Sequence, residues 1–439
     1  MLKSLQLIQI LAVTTIIILL LVIIMQTYVN SMTKSVGDDI YTSTMEVSDI
    51  TYLKNGMTLI TGKDKDDSFY KIYGPNSVLI DEGALSHPDH NLHIDDIAVN
   101  GNTFTLICNA KLGSKSKGIV FTYDLINRTI EKNELPTLPE TKDVSFFVSG
   151  NDYFAACKKN VYLLDGDSNK YTEFPLSNVY KINDICSFDN KVYIVGQKAV
   201  NQTLQNGKNA FYASYTRSGE LVWEYNTLEK VNSTIEKIVP TNNENFVLHG
   251  LYTENLDFSV EYCKNSLVNT EDDKVSSFVL YIDKDGKIIT SNVYKPEDIF
   301  LKKVVGISKY DRVMGYGAYI LDPNQSKYIY SLNLINRELA NISRLSFQSD
   351  LDLVYYVTGN DDIGVFALIH INGTGNYRLK HYSSNSEFIT EMKLLNSLRN
   401  AIKYVGNHVT SIIYAYISVA TCYILKIKYS RGNKNVKVL

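Results

Sequence analysis

Neither sign of charge is in excess in this chain. Its 44 Lys and Arg stand against 47 Asp and Glu over 439 residues, a formal net charge of −3, so it lacks the basic surface that nucleic acid requires. Cysteine is scarce as well. None of the five precedes Cys108, which removes a lipid-modified N-terminal cysteine, and the spacing of Cys108, Cys157, Cys186 and Cys263 matches no metal motif. Three of these four sit in apolar runs such as FTLIC and YFAAC, so buried free thiols are expected and disulfides stay open. No G-x-S-x-G, phosphate-binding glycine loop or recognisable carboxylate pair is present. DGDSN from Asp165 and DKDG from Asp283 lack the glycine and glutamate spacing of a calcium loop and read as hairpin turns. Nothing in the sequence calls for a cofactor.

Tyrosine is abundant instead, at 32 residues against 24 Gly and 8 Pro, a mixture suited to pleated, half-buried strands. Two long apolar runs frame the chain. Leu5 to Met25 holds 21 residues without a charge, enough to cross a hydrocarbon core of about 30 Å as a helix. The following QTYVNSMTKS has no A-x-A-like cleavage site, so the run is expected to stay as an anchor. Val409 to Leu425 is a second run of 17 uncharged residues, followed by Lys426, Lys428, Arg431, Lys434 and Lys437 with no acidic residue, a basic stop-transfer flank. A surface helix or strand is the alternative for this run. Two spans place both termini in the cytosol and residues from about 30 to 406 outside.

Between the spans a short pattern recurs: apolar, two polar, apolar, a polar turn, then an apolar run often closed by glycine. It reads VSDITYLKNGMTLITG from Val47, IDDIAVNGNTFTLIC from Ile94, INDICSFDNKVYIVG from Ile182, IEKIVPTNNENFVLHG from Ile235 and LKKVVGISKYDRVMGYG from Leu301. Looser copies are DVSFFVSGNDYFAAC from Asp143 and LDLVYYVTGN from Leu351. Each is expected to be a β-hairpin, and each alternates with a second hairpin such as SFYKIYGPNSVLID or FVLYIDKDGKIITSNVY. Two second halves share Leu-Ile-Asn-Arg, at Leu125 to Arg128 and Leu334 to Arg337. Seven first halves and seven second halves predict an all-β, seven-bladed β-propeller of four-stranded units, in which ring packing covers both faces of every sheet. Helix-period patterning is nearly absent before residue 384, which excludes a helical solenoid.

The predicted organisation is an anchor at 1–29, a linker at 30–45, the propeller at 46–383, an amphipathic helix at 384–406, a second transmembrane helix at 407–425 and a basic cytosolic tail at 426–439. Ser384 and Glu387 have the form of a capping box, and Phe388, Met392, Leu395, Leu398, Ile402 and Val405 follow at helical spacing. This stripe packs under the propeller or pairs with a partner helix, which makes Phe388, Met392, Leu395, Leu398 and Ile402 the interaction candidates.

SGELVWEYN (Ser218 to Asn226) and DKDGKIITSNVY (Asp283 to Tyr294) resemble the outer strands of quinoprotein-like, PQQ-repeat β-propellers. The resemblance implies a membrane-attached platform for other envelope proteins. It covers the outer domain as an architecture and these two units in detail, because Trp223 is the only tryptophan where that family repeats one in each blade. Redox cofactor binding is not implied.

SHPDHNLHIDD, from Ser86, concentrates His87, His90 and His93 between two units. Pro88 and a strand expected from Ile94 leave no room for a helix that would align them, so they are weak zinc candidates in a solvated crossover loop. Asp95 and Asp96 fall on the two polar positions of the repeat. The resulting expectation is a membrane-anchored extracytoplasmic scaffold, assembly factor or accessory subunit of a membrane or envelope complex. An extracytoplasmic hydrolase or lyase with its site in the propeller mouth is the competing reading, and a ligand-sensing ectodomain signalling through a membrane partner a third. Acidic and His side chains converging at one channel end would favour the enzyme; an apolar or Tyr-rich rim would favour the scaffold.

Overall fold

Alternating strand sequences with polar turns leave each four-stranded sheet with two apolar faces, and stacking neighbours around an axis covers both. The structure, a computed structural model, describes residues 45–253 and 275–294 with breaks in several loops, the strands of 301–382 chiefly through their backbone, and scattered positions near both ends. Its strands, β1 to β27 in chain order, form six antiparallel four-stranded sheets and one three-stranded sheet among the described residues. Within each sheet the strands pair in chain order. The first strands of successive sheets are β1 (Met45–Tyr52), β5 (Asn91–Asn100), β9 (Ser145–Ser149), β13 (Val179–Phe188), β17 (Ser233–Pro240), β21 (Leu301–Ile307) and β25 (Leu353–Asn360). These strands lie innermost: β5 meets β9, β9 meets β13, β13 meets β17, β21 meets β25, and β25 returns to β1. Leu379 of β27 (Asn376–Tyr382) packs with Val47, Ile50, Ile60, Phe69 and Tyr73 of the first sheet, so the last sheet closes on the first. This is a β-propeller arrangement.

The last sheet differs from the sequence expectation. LDLVYYVTGN forms the single strand β25, and VFALIHINGTGNYRLK supplies β26 (Gly364–Ile371) and β27, giving three described strands where four are expected. The reason is local: this copy carries no turn residues until Gly359-Asn360 at its end, so nothing folds it back on itself.

The repeat itself has a structural cause. In β1, β5, β13 and β17 the pairing register shifts across the two polar residues, between Val47 and Asp49, Ile94 and Asp96, Ile182 and Asp184, and Ile235 and Lys237. Each is a β-bulge with Ser48, Asp95, Asn183 or Glu236 as the extra residue. The glycine that closes the copy lies opposite. A Cβ on Gly62 would stand 2.1 Å from the Glu46 carbonyl oxygen, one on Gly196 2.1 Å from that of Lys181, and one on Gly250 2.4 Å from that of Thr234. Cys108 holds this place in the second sheet, opposite Ile94.

Apolar clusters fill the spaces between sheets. Phe147, Phe154, Phe174, Ile185, Ile194 and Phe211 form the layer between the third and fourth. Between the fourth and fifth, Trp223 lies against Gly286, whose Cβ would come within 3.0 Å of the indole, and its Nε1 donates to the Lys284 carbonyl at 3.4 Å. Glycine at φ +79° both makes the turn and admits the ring. Cys108, Cys157 and Cys186 are buried and form no disulfide with one another. Burial pushes the Cys108 and Cys186 thiols up to about 12, so neither is a nucleophile near neutral pH.

By contact the chain divides into two compact units, one of Ser35–Ile389 and one of Met1–Lys34 together with Thr390–Leu439. Among the described residues no helix is long and apolar enough to cross a membrane. Most of both apolar runs lies outside the described residues. Where positions of the first are described, Val13, Leu20, Leu21, Ile23 and Ile24 are helical and exposed. Of the C-terminal stripe, Phe388, Met392, Leu395 and Ile402 lie outside the described residues; Leu398 is helical and half-buried, while Leu394 and Tyr404, off the stripe, are helical and exposed.

Candidate functional site

Innermost strands of neighbouring sheets splay around the axis and cannot pair backbone to backbone, so their inward N–H groups need other acceptors. The bulge residues provide them. Asp95 Oδ2 accepts from the backbone N–H of Phe146 at 2.9 Å, and Asp96 Oδ2 from that of Val148 at 3.0 Å, both on or beside β9. Two sheets further on, Asp184 Oδ2 accepts from the N–H of Ile238 at 2.9 Å and Asn183 Nδ2 donates to the Ile235 carbonyl at 2.8 Å. The polar pair of one copy therefore ties its sheet to the next.

These side chains also assemble a charged cluster at the axis. Lys237 Nζ lies 3.0 Å from Asp184 Oδ1, and the carboxylates of Asp96 and Asp49 act on it from two other sheets. The lysine keeps 44% of its side-chain surface while Asp184 keeps 5%. Burial alone would lower the Lys237 pKa, but Asp184, Asp96 and Asp49 outweigh it and raise it. A lysine held charged in this way is no Schiff-base nucleophile. Asp96 behaves oppositely: burial and the neighbouring Asp184 outweigh Lys237 and push its carboxyl up to about 6.

A raised carboxyl pKa favours the folded state below the unfolded value and withdraws that contribution as pH rises through about 6. Asp96→Asn keeps an acceptor for Val148 and removes the titration. Its stability relative to the parent is expected to rise between pH 4 and 7, measured by denaturant midpoints; a constant difference would mean that Asp96 titrates normally.

Of the three histidines, His87 and His93 are described and stand in different settings. β5 begins at Asn91, so His93 stands on a strand and not in the loop, because the chain pairs with β6 (Thr103–Leu112) as soon as it clears Pro88. His93 is exposed, His87 Nε2 lies 3.5 Å from Glu134 Oε1, and His90 is outside the described residues. Among the described residues no group of three His, Cys, Asp or Glu could hold a metal ion. Replacing His87, His90 and His93 together with alanine is expected to leave the metal content of the purified chain unchanged, with a stability loss of about 1 kcal/mol from the largely buried His87 side chain beside Glu134. Elemental analysis that found one zinc per parent chain, lost in the triple variant, would contradict this.

Among the described residues, exposed apolar side chains gather at one face of the ring. Antiparallel meanders put the turns between first and second and between third and fourth strands on one face of the ring, and the sheet-to-sheet crossovers on the other. Nine large apolar residues of the described ring are well exposed, and eight lie at the turn face: Val78, Val99, Ile126, Ile130, Tyr171, Leu221, Val222 and Ile289. Val275 is at the opposite face. Ile130, Tyr171, Val222 and Ile289 occupy the same place, the second residue of the outermost strands β8 (Thr129–Glu134), β12 (Lys170–Pro175), β16 (Leu221–Asn226) and β20 (Ile288–Tyr294).

No family model and no curated protein matches this chain. Solved structures similar to it include a prolyl endopeptidase, at 9% identity over 80% of this chain with a TM-score of 0.36. The chain spans 57% of that enzyme's length. The β-propeller domain of the Trilobed protease from Pyrococcus furiosus is 13% identical, over 78% of this chain and 96% of that one, with a TM-score of 0.46. The WD40 domain of SCAP from fission yeast is 11% identical, over 77% and 96%, with a TM-score of 0.39. At such scores these proteins say nothing of activity, and no quinoprotein relative stands among the three. The ring follows from its own strand order and closure.

The sequence points to Asp95 and Asp96 as polar positions of the repeat. It does not point to Asp49, Asp184 and Lys237 as one cluster, although the same second polar place holds all of them. The aligned copies carry that signal, but only ring closure brings their strands to one axis.

Proposed function

We propose that this chain is a membrane-anchored, seven-bladed β-propeller on the extracytoplasmic side, acting as a scaffold, assembly factor or accessory subunit of a membrane complex. The observation that carries the reading is the apolar rim at the turn face, where eight large apolar residues are exposed among the described residues. Surfaces of this kind mark protein contacts. The closure of β25 onto β1 supports a complete ring, with the three-stranded sheet as its seventh blade. The exposed helical aliphatics from Val13 to Ile24 and the basic flank from Lys426 support attachment at both ends. Against a channel enzyme, the carboxylates of Asp95, Asp96 and Asp184 are engaged by backbone N–H groups of the next strand.

In-cell photocrosslinking distinguishes the two faces. A crosslinker at Val222 or Ile289 is expected to give a discrete protein adduct, and one at Val275 none. Val222→Asp with Ile289→Asp is expected to abolish that adduct at full expression, since exposed substitutions of this kind usually cost within about 0.5 kcal/mol. Equal adducts from both faces, or none from the turn face, would remove the scaffold reading.

A further inference from the structure

Outside the channel and independent of it, a cleft of about 670 Å³ runs round the turn-face end of the third sheet. One side carries tyrosines. The register aligns Tyr153 of β10 (Asp152–Ala156), Leu164 of β11 (Asn160–Asp165) and Tyr171 of β12 in one row across three strands, facing Val120 and Leu135 of the second sheet. Val120, Leu135 and Leu164 are buried, Tyr153 is half-buried and Tyr171 exposes 42% of its surface, set edge-on to Tyr162 with ring centroids 5.2 Å apart. Asn133 of β8 and Asn151 extend this side with amides. Asn151 Oδ1 accepts from Asn100 Nδ2 at 3.0 Å, which leaves its own Nδ2 as the donor.

The other side is ionic, and its charges are compensated within the protein. Arg217 holds Asp152 bidentately, both N–O distances being 2.6 Å, and Ser187 Oγ donates to the same carboxylate at 2.5 Å. Asp165 stands directly opposite Lys170 across β11 and β12. Two cations and two anions leave no net charge for an ionic ligand to neutralise. A ligand without polar groups is disfavoured as well, since it would strip water from fixed ionic groups without replacing their hydrogen bonds.

Tyrosine faces, neutral amides, the Thr172 hydroxyl and the fixed Asp152–Arg217 pair together suit a molecule with apolar faces and hydroxyl edges. We propose that this cleft binds a neutral saccharide of more than one ring, its C–H faces against Tyr171 and Tyr153 and its hydroxyls on Asn133, Asn151 and the Asp152–Arg217 pair. Tyr171 is the stacking platform because it offers the largest open aromatic surface.

The test uses the full chain, kept free of sugar-headed detergents, titrated with maltotriose, cellotriose and tri-N-acetylchitotriose and followed by ligand-observed NMR. At least one trisaccharide is expected to bind. Tyr171→Ala should weaken it tenfold or more, Asn133→Ala severalfold, and Tyr171→Phe little, with unchanged melting in all three. Inorganic phosphate, as the anionic probe, is expected not to compete. The assignment is overturned if no trisaccharide binds at millimolar concentration, if Tyr171→Ala binds like the parent, or if phosphate displaces the sugar.

Discussion

Replacing Asp184 with alanine is expected to lower stability by about 2 kcal/mol, within the range for leaving a buried backbone donor without its acceptor. Two groups lose a partner together. The N–H of Ile238 loses its acceptor at 2.9 Å, and Lys237 loses the carboxylate 3.0 Å from its ammonium while it remains inside the ring. Asp184→Asn keeps an oxygen for Ile238 and forfeits only the charge, so a smaller loss is expected. Lys237→Met in the Asp184→Ala background should lower stability further, because Asp96 and Asp49 then lose the cation that acts on them. Denaturant midpoints at pH 7 measure all three. A cost below about 1 kcal/mol for Asp184→Ala, the net worth of one ordinary hydrogen bond, would mean that the cluster does not join the fourth sheet to the fifth.

How much of this was legible in the sequence depends on range. INDICSFDNKVYIVG announces two strands and a turn, and the structure folds it so, with Asp189 and Asn190 at positive φ in the turn. Its polar pair reads as ordinary alternation. That Asn183 is an extra, unpaired residue is a property of the pairing with β14 (Lys191–Ala199), and no single strand carries it. Trp223 marks a resemblance in the sequence; only the turn of the next sheet explains it, since Gly286 is 63 positions further along the chain. The sequence reads His93 as a loop residue because Pro88 and His90 dominate that stretch, whereas pairing of Asn91 with Lys111 across the sheet starts the strand earlier. Exposure at Ile130, Tyr171, Val222 and Ile289 was out of reach for the same reason. In an alternating pattern each reads as an inward residue, and only its place on an outermost strand beside a turn leaves it uncovered.

The closing glycine of the repeat carries the other large expectation. Gly196→Ala should cost about 3 kcal/mol, the upper end of what overpacking usually costs, although a methyl group is the smallest side chain that can be added. Its Cβ would lie 2.1 Å from the Lys181 carbonyl oxygen and 3.1 Å from Ile182 Cα, backbone atoms that cannot rotate away. The control is Gly101→Ala, at φ +60° with nothing within 4 Å of the added carbon. There only the left-handed backbone is penalised, by about 1–2 kcal/mol. Relief at Gly196 requires the bulge to move, and the bulge carries Asn183 and Asp184. Their bonds to Ile235 and Ile238 would loosen with it, so Gly196→Ala and Asp184→Ala should be less than additive when combined, each having already spent part of the same contact between sheets. Strict additivity in the cycle, or a Gly196→Ala cost no greater than that of Gly101→Ala, would separate the glycine from the bulge and leave the repeat's last position unexplained.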